Sequence, residues 1–150
     1  MLMNIVIGCC LVILTTLLHA AAMIAVLRGL KITRAARWAR DTSLGLAKAT
    51  IVAAVVLMMF LASLVEAGLW AATYLFVGAI AHLEEALYFS TVTYTTLGFG
   101  DVFMQRGWRL LSSFEAANGI IMFGWTTALI VATVQRVYAT HMDIGEPRMD

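Results

Sequence analysis

What this sequence lacks first is charge. Only 13% of its 150 residues are Asp, Glu, Lys or Arg, about half the share of an ordinary soluble domain, and the mean hydropathy is +0.90. Such a chain is an integral membrane protein rather than a soluble one. Net charge is only +1, so no overall field favours nucleic acid as a partner. Proline is nearly absent: the single Pro147 lies in the tail, and no apolar run is interrupted by one. The two cysteines, Cys9 and Cys10, are adjacent inside the first apolar run. They imply no disulfide framework and read as small buried hydrophobes. No His, Cys or carboxylate cluster has metal-site spacing, and no nucleophile sits with a base, so neither an enzyme nor a cofactor is expected.

What is present is three long apolar runs. The first, Ile5 to Leu27, suffices for one helical crossing of a hydrocarbon core of ~30 Å, which takes ~20 residues. No basic residue precedes it and six basic residues, Arg28, Lys31, Arg34, Arg37, Arg40 and Lys48, follow it. That order predicts an uncleaved helix over 1–27, with its N-terminus outside and a basic cytoplasmic connection over 28–48. The second run extends from about Ala49 to Ala81, longer than one crossing needs, and Trp70 and Tyr74 suit an aromatic belt at its outer interface. The third, Trp108 to about Tyr138, returns inward and leaves a short cytoplasmic tail over 139–150.

Between the second and third runs lie AHLEE (81–85) and ALYFSTVTYT (86–95). Ten to twelve residues cannot cross a bilayer as a helix. A half-helix with Glu84 and Glu85 in its first turn is favoured by the helix dipole, so a re-entrant helix entering from outside fits length and charge. It leads into TTLGFGD (95–101). Irregular backbone at membrane depth must be buried in protein or line a wet path. Successive carbonyls can share one direction if right- and left-handed dihedrals alternate, and Gly98 and Gly100 permit the left-handed ones. Leu97 and Phe99 would then turn outward into protein, while the carbonyls of Thr96, Leu97, Gly98 and Phe99 stack as rings of oxygen with the Thr96 hydroxyl below.

The stretch YFSTVTYTTLGFGD resembles the pore helix and selectivity filter of potassium channels, and NGIIMFGWTTAL resembles a channel inner helix. The resemblance implies an all-α membrane protein of three transmembrane helices plus a re-entrant pore helix and filter loop. It further implies a single-pore-loop channel of bacterial type in the inner membrane, whose pore domain covers 49–138. One loop cannot enclose an ion, so it implies a homotetramer. The permeant K+ would bind the carbonyls of the filter, residues Thr96, Leu97, Gly98, Phe99 and Gly100. Asp101 would stand at the outer mouth, supported by Tyr88 and Phe89. Many family members have Tyr at the position of Phe99, a Trp pair at Tyr88 and Phe89, and in some a carboxylate at Val92. Phe89 therefore cannot donate an indole hydrogen bond, Tyr88 can still reach Asp101, and any acid pair behind the filter must be built differently. Altered inactivation or stability of the conducting state is expected rather than loss of the pore.

Other features leave alternatives open. Arg28, Lys31, Arg34, Arg37 and Arg40 repeat every third residue, which on a helix spreads them around the circumference. They read as ligands of anionic lipid headgroups, with a lipid-responsive gate or a voltage sensor as alternatives. Glu66 and Glu115 are acids in apolar spans, where a protein partner is the default. Glu115 either bonds the pore helix or loop or lines the cavity, and Asn118 is open between cavity and helix contact. Gly119, where such inner helices bend, and Ile120, Phe123, Gly124, Thr127 and Val131 form the expected cavity and gate. His19 reads as a packed or interhelical polar contact. A weakly selective cation channel and a non-conducting scaffold or sensor remain as other functions.

Overall fold

The structure, a computed structural model, describes residues 1–32 and 45–138. Four helices follow in order: α1 (Leu2–Ile32), α2 (Gly45–Phe76), α3 (Leu83–Tyr94) and α4 (Arg109–Tyr138). Three of them contain apolar segments long enough to cross a membrane, Leu2–Gly29, Lys48–Phe76 and Arg109–Tyr138. The protein is an integral membrane protein, and among the described residues all its regular structure is helical. At 12 residues and 1.5 Å per residue, α3 is only ~18 Å long, well short of a crossing.

Each helix buries one stripe. On α1 it is Asn4, Gly8, Leu11, Thr15, His19 and Val26, recurring every three or four residues apart from one skipped turn. The rest of α1 is as apolar as this stripe, so hydrophobicity does not mark the packing face; small and polar residues do. Lipid tails compete equally well for apolar side chains, whereas close backbone approach and hydrogen bonds favour another helix. Cys9 and Cys10 lie off the stripe and are exposed at the chain surface, which corrects the expectation that they are buried.

The helix α2 buries Lys48, Val55, Met59, Ser63, Glu66, Ala67, Trp70, Ala71 and Tyr74. Its end comes earlier than the apolar run suggests. Ala79 N–H reaches back to the Tyr74 carbonyl at 2.9 Å and Gly78 N–H to that of Leu75 at 3.1 Å, a Schellman closure with Gly78 at φ 69°. Trp70 and Tyr74 do not form an interfacial belt: both are fully buried and pack with each other at 6.4 Å between ring centroids. They face the short helix rather than the headgroups.

Two apolar clusters order the bundle. One joins Leu11, Ala67, Trp70, Tyr74, Ala86, Tyr94, Leu111 and Met122, where α3 packs against α2 and α4. The other joins Val26, Val55, Met59 and Leu129 at the opposite end. At this second end α1 continues through Arg28, beyond Leu27, and α2 begins before Lys48. The connection is therefore shorter than 28–48. Lys48 does not belong to it: the residue is buried and its ammonium sits 5.6 Å from the centroid of the Tyr138 ring, a cation–π contact. Arg28 is exposed on α1; Arg34, Arg37, Arg40 and the tail over 139–150 lie outside the described residues.

Candidate functional site: a left-handed loop on a clamped short helix

The short helix begins after His82, which makes no side-chain cap, and carries Glu84 and Glu85 in its first turn. Its buried face is Ala86, Ser90, Val92 and Tyr94. Ser90 and Tyr94 are one turn apart and so project together. Each meets a buried carboxylate from a different long helix. Ser90 donates to Glu115 of α4, which also accepts from Tyr74 of α2. Tyr94 donates to Glu66 of α2. Ser90 further reaches the Ala67 carbonyl at 2.6 Å. A carboxylate in an apolar interior is tolerated only when paired or hydrogen-bonded, and these two have what they need.

Glu66 has a further partner. His19 of α1 brings Nδ1 to 2.9 Å from Glu66 Oε1, and its Nε2 lies 3.2 Å from the Thr126 hydroxyl of α4. Asn118, buried, donates to the Thr15 hydroxyl at 2.8 Å, which places it against α1 rather than in a cavity. These α1 contacts were not legible beyond the general reading of His19 as interhelical. The usable signal was the spacing of Asn4, Gly8, Thr15 and His19 along one helix face.

From the end of α3 the chain folds back onto it. The N–H groups of Thr95, Thr96 and Leu97 bond the carbonyls of Thr91, Thr93 and Val92 at 2.9–3.0 Å. The backbone then alternates, with positive φ at Thr96 (61°), Gly98 (54°) and Gly100 (76°) and not at Leu97 or Phe99. The left-handed residues include Thr96, a position expected to supply a carbonyl and a hydroxyl but not a left-handed turn, which is expected of the two glycines alone. A β-branched residue there costs on the order of 1–3 kcal/mol and persists only where its surroundings impose it. Among the described residues no group donates a hydrogen bond to the carbonyls of Thr96, Leu97, Gly98 or Phe99. Leu97 and Phe99 are 61% and 66% exposed, so within one chain their side chains are not covered.

Asp101 closes the loop. Its carboxylate accepts from the Tyr88 hydroxyl at 2.6 Å and from its neighbour Val102 N–H at 3.1 Å. The Tyr88 bond holds the Asp101 carboxyl below the usual carboxylate range, and the same bond pushes the Tyr88 phenol up. Phe89 packs edge-on against Tyr74 at 5.5 Å. Behind the loop a cavity of about 200 Å³ is lined in part by Tyr88, Val92, Gly98, Asp101 and Ser112.

On α4 the residues divide by face. Gly119 is buried against the end of α3: a Cβ there would overlap the Tyr94 carbonyl oxygen and stand 2.9 Å from its carbon. It is a point of close approach inside an unbroken helix. Ile120, Phe123, Gly124, Thr127 and Val131 form a continuous uncovered face, and Phe123 meets the Tyr94 ring edge-on at 5.7 Å.

Two apolar spans bracketing a short helix and a carbonyl-bearing loop define a membrane protein of the ion-channel class. A family model described as "Ion channel" matches residues 50–136, and the chain belongs to that family, the pore-domain family of potassium channels. The match takes in α3, the loop and nearly all of α2 and α4 but excludes α1. No curated protein and no solved structure matches the chain.

Proposed function

We propose that four copies of this chain assemble around one axis as a potassium-selective channel, with residues 96–100 as the filter. The observation that carries this reading is the alternation of handedness at Thr96, Gly98 and Gly100, together with four successive carbonyls that no described residue engages. Rings of such carbonyls replace the hydration shell of potassium. The C-terminal, partially negative end of α3 abuts the loop and favours a cation there. One loop cannot surround an ion. The exposure of Leu97, Phe99 and the Ile120–Val131 face of α4 fits a chain that neighbours complete, with Phe123, Thr127 and Val131 around the cavity.

Arg28, Lys48 and Arg136 belong to the end built on Val26, Val55 and Leu129, where no described acid lies, whereas at the other end Arg106 and Arg109 stand with the acids Glu84, Glu85 and Asp101. By the positive-inside rule the basic end is cytoplasmic; α3 and the loop then re-enter from outside, and Arg28 meets anionic headgroups.

Reversal potentials of the purified protein in bilayers with unequal potassium and sodium test the reading. Reversal near the potassium equilibrium value is expected. Reversal near zero would make it a weakly selective cation channel, and well-folded oligomers without current a scaffold or sensor. Gly98→Ala should abolish potassium current, because alanine at positive φ strains the loop; current like the parent's would refute the filter assignment.

A further inference from the structure

The helix α1 lies outside the family match, which starts at residue 50, yet its buried polar side chains turn into the matched unit. Asn4 donates to the Gly107 carbonyl at 2.6 Å, Thr15 accepts from Asn118, and His19 lies between Glu66 and Thr126. The first two contacts hold α1 in register along α4 and the segment before it. The third reaches the loop. Glu66 takes His19 on one carboxylate oxygen and Tyr94 on the other, and Tyr94 is the last residue of α3.

We propose that His19 is a positioning residue for the ion path, acting from α1 through Glu66 on Tyr94 and so on the seat from which Thr95 and Thr96 begin the loop. This rests on the channel reading above. The hydrogen-bond accounting is closed when the imidazole carries its proton on Nδ1: Nδ1–H donates to Glu66, Nε2 accepts from the Thr126 hydroxyl, and the tautomer follows from those partners. Glu66 is then held by donors from two different helices. All four groups are at least partly buried, His19 and Glu66 fully. Loss of the imidazole leaves the carboxylate with one donor in an apolar interior, and a carboxylate in that state turns toward whatever donor remains. Tyr94 would follow, since its hydroxyl is bonded to Glu66 while its carbonyl lies against Gly119.

The test uses the full chain in bilayers and reads potassium open probability and the potassium-to-sodium permeability ratio. His19→Leu and Tyr94→Phe should each move one of these by about threefold or more, and the double variant should go no further than the worse single one, as coupled sites do. His19→Gln, which keeps a donor and an acceptor, should restore the parental value. Leu17→Ala, at an exposed position of the same helix, should leave it unchanged. Parental behaviour of His19→Leu overturns the proposal, as does a double variant whose effects multiply. If His19→Leu does not assemble, Thr126→Val takes its place: a smaller shift in the direction of that of Tyr94→Phe supports the relay, and none overturns it. A parent that carries no current sinks the channel reading instead. The relay is then judged by 3-fluorotyrosine at position 94, whose fluorine resonance should move with His19→Leu and stay put with Leu17→Ala; an unmoved resonance overturns it.

Discussion

Gly119→Ala is the substitution for which the geometry makes the sharpest demand. The new methyl would overlap the Tyr94 carbonyl oxygen and lie 2.9 Å from the carbonyl carbon and 3.3 Å from Cα. All three are backbone atoms at the end of a helix clamped by Glu66 and Glu115, so no side chain can swing aside. The helices must separate by on the order of 1 Å, at the upper end of the ~1–3 kcal/mol that overpacking costs. Alanine regains ~1 kcal/mol of helix propensity over glycine, which leaves a net loss of ~2 kcal/mol per chain. Gly124→Ala is the matched control. Nothing lies within 4 Å of its Cβ, so only the propensity gain of ~1 kcal/mol remains. Thermal denaturation of the detergent-solubilised protein, followed by loss of the folded size-exclusion peak, should show Gly119→Ala below the parent and Gly124→Ala at or above it. If both behave alike, the close approach of Gly119 to Tyr94 is not a constraint.

Other outcomes follow from the same contacts. Glu115→Ala strands the Tyr74 hydroxyl and takes one of two acceptors from Ser90; it should cost about 2–3 kcal/mol by the same melting assay, and Glu115→Gln distinctly less. In Tyr88→Phe the Asp101 carboxyl loses the donor that holds it low. Its folded value lies below the unfolded one, so the bond's stabilisation is full above the ordinary carboxylate range and is lost as pH falls through the lowered value. The variant's Asp101 should therefore titrate at higher pH than the parent's, read by carbon-13 NMR of that carboxyl; an unchanged midpoint would show the bond is absent in solution.

Much of the pore unit was legible because it departs from uniform apolarity. Glu84 and Glu85 placed the start of α3, the glycines placed its end, and the observed Leu83–Tyr94 agrees with both. The helix α4 begins one residue after Trp108, the expected start. Inside the long helices the usual signal fails. Hydrophobic periodicity identifies a buried face only when the other face must meet water, and in lipid it need not. Hence Cys9 and Cys10 read as buried and are exposed, and Trp70 and Tyr74 read as interfacial and are buried. The left-handed Thr96 was illegible for a different reason: its own preferences oppose that conformation, which the surrounding loop and the fold-back onto α3 impose.

The clamp on α3 answers a question that Val92 raised. Where related channels carry an acid on the short helix itself, this chain keeps hydroxyls there, Ser90 and Tyr94, and brings the acids from α2 and α4. Burying a carboxylate costs several kcal/mol unless its partners are in place, and here the partners of each acid come from different helices: Ser90 and Tyr74 for Glu115, Tyr94 and His19 for Glu66. Shifting any one helix along another strips a buried acid of a hydrogen-bond partner, whereas an apolar contact would slide at little cost in lipid. The acids therefore fix the register of all four helices at the depth where the loop begins. That constraint sustains a strained Thr96, and it draws α1, which the family match does not include, into the construction of the site.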